Sequence, residues 1–90
     1  MPSKAEIAQL LDELEEEYRF WAVEAISLDR GIENLEEKIE QHEEQLGPAR
    51  VAEFRARLSQ TRDRHSRIEE RILSVRQKLH ELKTRLHESH

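Results

Sequence analysis

The sequence predicts an all-α fold: an antiparallel two-helix coiled-coil hairpin that dimerises into a four-helix bundle. Three observations predict it. An apolar repeat averaging 3.5 residues runs through most of the chain, a Gly-Pro pair sits at the midpoint, and the two halves carry opposite net charge.

The repeat comes first. In the first half Ile7, Leu11, Leu14, Tyr18, Trp21, Ala25, Leu28, Ile32, Leu35, Ile39, His42 and Leu46 alternate steps of four and three. In the second half Val51, Phe54, Leu58, Thr61, His65, Ile68, Ile72, Val75, Leu79, Leu82 and Leu86 do the same. Such spacing is the a/d seam of a coiled coil, with Leu11 and Val51 both at position a. High charge with few aromatic residues also fits a disordered chain. Sustained heptads in both halves argue against that.

The punctuation sets the elements in order. Ser3 followed by Glu6 forms a capping box, so the first helix spans about residues 3–46. Gly47 accepts the left-handed conformation that ends a helix, and Pro48 suits the first turn of the next. The second helix then covers about 48–87, and the chain is one domain, residues 1–90.

Charge supplies the pairing. Residues 1–47 hold fourteen acidic and four basic side chains, and residues 48–90 hold six and eleven. In the second half Arg50, Arg55, Arg57, Arg62, Arg64, Arg71, Arg76, Lys78, Lys83 and Arg85 fall at e or g, facing the carboxylates of the first half. Folding back at Gly47 brings Glu17 near Lys78, Glu24 near Arg71, and Glu36 near Arg55 or Arg62. Lys38 opposite Arg57 is a mismatch.

Composition narrows the function classes. The chain is 39% charged with a net charge of −5, so nucleic acid and anionic membranes are disfavoured partners. It lacks cysteine and any apolar run long enough to span a bilayer, which reads as cytoplasmic. Runs of glutamate on a helix are solvated faces rather than acid/base pairs, and no phosphate loop or nucleophile–base set is present. No enzyme activity and no cofactor are expected.

The segment YRFWAVEAISL, residues 18–28, breaks this pattern, with eight apolar residues of eleven pointing all round the helix. Tyr18 and Trp21 belong to the seam. Phe20, Val23 and Ile26 map to c, f and b, on the outer face, and Leu73 at b of the second helix joins them. Contiguous outward apolar surface marks an interface. Tyr18, Phe20, Trp21, Val23, Ile26 and Leu73 are therefore the expected protein-interface residues, serving a homodimer, a protein partner, or both.

Three lesser features complete the reading. The Arg-rich second half offers Arg57, Arg62, Arg64 and Arg67 to a nucleic acid, the alternative function. His42 and His65 sit in the seam as neutral, partly buried spacers whose charging would loosen it. His87 and His90, with His80 behind them, are a weak zinc signal at a helix end, so no metal site is assigned. Gly31, at g, is a small residue for close approach or a gentle bend.

Overall fold

The computed structural model describes residues 2–88. Ser3 opens the helix: its Oγ accepts from the Glu6 amide at 3.2 Å, and its carbonyl accepts from the Ile7 amide at 3.0 Å. From there one helical element, α1 (Lys4–Glu88, 85 residues), runs through the rest of the described chain. This corrects the expected fold class of two helices joined by a Gly47-Pro48 turn. No turn segment exists. A single residue, Gly47, leaves helical geometry, with φ 81° and ψ 162°.

The physical reason lies in two adjacent residues. Proline disfavours helical geometry in the residue before it and pushes that residue's ψ toward extended values, as seen at Gly47. Glycine alone reaches positive φ there at little cost. Pro48 has no amide hydrogen to leave unsatisfied, so helical geometry resumes at once.

One residue is enough to redirect the chain. A straight helix of 85 residues would measure about 127 Å at about 1.5 Å per residue. The longest dimension of the molecule is 65 Å, and the other two are 14 Å each. The element is therefore doubled on itself at Gly47, into a first arm before that residue and a second arm after it. A cross-section of 14 Å holds two helix backbones, so the described residues of the chain form no four-helix bundle by themselves, which corrects that expectation for the single chain.

Between the arms lies a narrow core. Ile7, Leu11, Val51, Leu58, Ile68 and Val75 are buried, all at a or d, and Val75 is the deepest at 1% exposure. Burying an aliphatic side chain of this size contributes about 1.5–3 kcal/mol. The remaining seam positions are mostly half-buried, including Tyr18, Trp21, Leu35 and Leu79. Thr61 is half-buried and turns its hydroxyl onto its own helix, donating to the Arg57 carbonyl at 2.8 Å.

Ion pairs fix how the arms lie side by side. Arg55 meets Glu43 at 3.2 Å, Arg62 meets Glu36, and Lys83 meets Glu15 at 3.9 Å. All six residues occupy e positions. On the g edge, Arg71 reaches Glu17 at 2.7 Å. Each exposed pair is worth only a few tenths of a kcal/mol, so their common register matters more than their sum.

Gly31 needs no special account of packing. A Cβ built there would meet nothing within 4 Å, and the helix continues unbroken through it. Close approach is therefore not the reason for a glycine at this position.

Candidate protein-interaction surface

The outer apolar residues stand clear of the seam. Phe20 is 57% exposed, Val23 65%, Ile26 56% and Leu73 63%. Phe20 also packs edge-on against Trp21, with ring centroids 5.0 Å apart at 75°. Leu73 belongs to the same stretch of rod, because Arg71, two residues earlier, contacts Glu17. Tyr18 and Trp21 are half-buried and act mainly in the seam. The expected interface residues thus divide into four outward side chains and two that support them from behind. Leu10 joins the exposed apolar set and was missed by reading only the segment 18–28. Its g position, which usually carries charge, was the available signal.

Trp21 and Glu17 form the best-defined polar contact of this region. The indole N–H donates to Glu17 Oε1 at 3.3 Å, and Arg71 donates to the same oxygen from Nε at 2.9 Å. These donors, Arg71 first and Trp21 second, hold the Glu17 carboxyl below its ordinary value of 4.5. A carboxylate lowered in the folded state stabilises the fold at pH above its unfolded value, and the contribution is lost as pH falls through the folded value. The cost of Glu17→Gln should therefore be largest near neutral pH and should shrink as pH falls below the ordinary carboxylate range. Thermal melts of both proteins across that range check it. A cost that stays constant with pH would contradict the assignment.

The e-edge ladder is the least regular part of the surface. Stepping by heptads from Glu43–Arg55 and Glu36–Arg62 toward Glu15–Lys83 leaves two rungs between them. One sets Asp29 against Glu69, two carboxylates. The other sets Ala22 against Arg76, which has no ion-pair partner among the described residues. His65 spans the first of these: its Nε2 lies 2.8 Å from Asp29 Oδ1 and its Nδ1 3.3 Å from Glu69 Oε1. Each ring nitrogen thus faces a carboxylate oxygen, one from each arm. His65 is half-buried, as expected of a seam spacer. A seam position beside two carboxylates makes the ring a bridge between them. His42 differs again: it is exposed and pairs through Nδ1 with Gln45 Oε1 at 3.1 Å.

The four arginines of the nucleic-acid alternative are not equivalent. Arg62 is engaged by Glu36, and Arg57 lies with its guanidinium carbon 6.0 Å from the centre of the Phe54 ring. Arg64 and Arg67 have no ion-pair partner among the described residues. Arg62 occupies the e edge while Arg57 and Arg64 occupy the g edge, so the four do not form one patch.

Among the described residues, no group of three or more His, Cys, Asp or Glu side chains could hold a metal ion. His80 and His87 are exposed, and His90 lies outside the described residues. No helix among them is long and apolar enough to cross a membrane. A shallow groove of about 390 Å³ lies between the arms near their open end, lined by Leu10, Leu14 and Leu82 together with Lys78 and Arg85.

Comparison with known proteins finds no family model that matches the chain, and no match among curated proteins or solved structures.

Proposed function

We propose that this chain is a non-enzymatic protein-interaction module, an assembly or regulatory adaptor that works by presenting the outer face of residues 18–28. The supporting observation is the exposure of Phe20, Val23, Ile26 and Leu73, each more than half open to solvent on an otherwise heavily charged rod. Nothing in the seam requires these side chains. Their removal from water by another protein surface would contribute free energy that the isolated rod forgoes. Docking of a helix against them, from a second copy or from another protein, uses the same anchors.

A photo-reactive residue in place of Val23 tests the proposal in cells that express the chain. The expected result is a discrete cross-linked product, absent when the same residue replaces the exposed Glu37 on the same arm. If both positions give only diffuse, identical labelling, the apolar face has no occupant and the proposal fails.

A further inference from the structure

The two irregular rungs of the e-edge ladder share one face with exposed apolar side chains. Ile26 and Leu73 both occupy b, the position bordering e, one on each arm. Along the second arm the face reads Glu69, Leu73, Arg76, with the acid four residues before the leucine and the base three residues after it. Glu69 is set against Asp29, and Arg76 is set against Ala22. The face therefore carries an excess of negative charge on one side of its apolar centre and an unpaired positive charge on the other.

That distribution discriminates between occupants. A wholly acidic partner would satisfy Arg76 but would bring a third carboxylate toward Asp29 and Glu69. A basic partner would do the reverse. A copy of the same face, turned end for end, satisfies both ends at once. We propose that two copies of this chain associate antiparallel through this face, with Leu73 beside Leu73 and Arg76 of each copy against Glu69 of the other. The inference rests on the interaction reading above and deepens it by naming the occupant. Arg76 is the specificity-determining residue of the pair, because its counterpart within the chain, Ala22, offers it no charge.

Sedimentation equilibrium on four full-length proteins tests the pairing, with circular dichroism to confirm that each remains helical. Wild type is expected at twice the chain mass. Arg76→Glu and Glu69→Arg should each dimerise roughly tenfold or more weakly, because the two-fold repeats each repulsive contact. Mixing those two variants should restore association, since each supplies the charge the other lacks. Carrying both changes on one chain should restore it as well. That last protein also controls for disturbance of the His65 bridge by the loss of Glu69. Dimeric single variants, or a mixture that stays monomeric while helical, overturn the proposed register. A monomeric wild type overturns the second copy as occupant. If Val23 still cross-links to a different protein in that case, the interaction reading stands while this inference falls.

Discussion

Replacing Gly47 by alanine is expected to lower the melting temperature by about 5 °C or more while leaving helical content nearly unchanged. The residue sits at φ 81° and ψ 162°, a region that side chains with a Cβ rarely enter. Holding a non-glycine residue there costs of order 1–3 kcal/mol. A Cβ at this position would meet nothing within 4 Å, so the whole cost is backbone strain rather than a clash. Relaxing into a straight helix is not a simple escape, because Pro48 disfavours helical geometry in the residue before it and breaks the hydrogen-bond ladder. Small-angle scattering supplies the second readout. A population with a maximum dimension well above 65 Å would show that strain at one residue opens the doubled rod. If the variant melts like wild type and keeps its dimensions, positive φ at Gly47 is not what holds the bend.

The largest expected effect away from the bend belongs to Ile68→Ala. Ile68 is 6% exposed and sits in the seam at d, between the half-buried His65 and Ile72. Removing three carbons from such a site costs about 2–5 kcal/mol, combining lost burial with the cavity left behind. A domain of this size has a total stability on the order of 5–15 kcal/mol, so the loss is a large share of the whole. Urea unfolding followed by circular dichroism should show a midpoint shifted strongly downward. The control is Leu73→Ala, an aliphatic truncation on the second arm at a side chain that is 63% exposed. It should change the stability of the single chain by no more than about 0.5 kcal/mol. Equal effects at the two positions would mean that the seam and the outer face have been misassigned.

The histidines mark where reading the sequence stops. His42 and His65 look alike in the repeat, both polar residues at seam positions. In the folded chain His42 is exposed and pairs with Gln45 on its own helix, whereas His65 is half-buried between carboxylates from both arms. Periodicity assigns a residue to a face but does not say what stands opposite. The outward residues were legible for the same reason, because a face is all that Phe20, Val23, Ile26 and Leu73 required. Ala22 could be seen to lack charge, but that Arg76 would be set against it could not.

What the sequence by itself determined is therefore the helical nature of the chain, the a/d seam that contains every buried residue, the site of the bend, and the charge segregation between the arms. These follow from local rules of spacing, glycine and proline geometry, and composition. Tertiary structure alone decided that the reversal takes a single non-helical residue, Gly47, and set the register of one arm on the other. Glu17 shows the difference. Charge pattern placed it near Lys78, and the folded chain gives it Arg71, with Lys78 contributing only through its field. The reason is geometric. Heptads repeat every seven residues, so several registers satisfy the same apolar stripe, and only the reversal at a single residue selects which rungs meet.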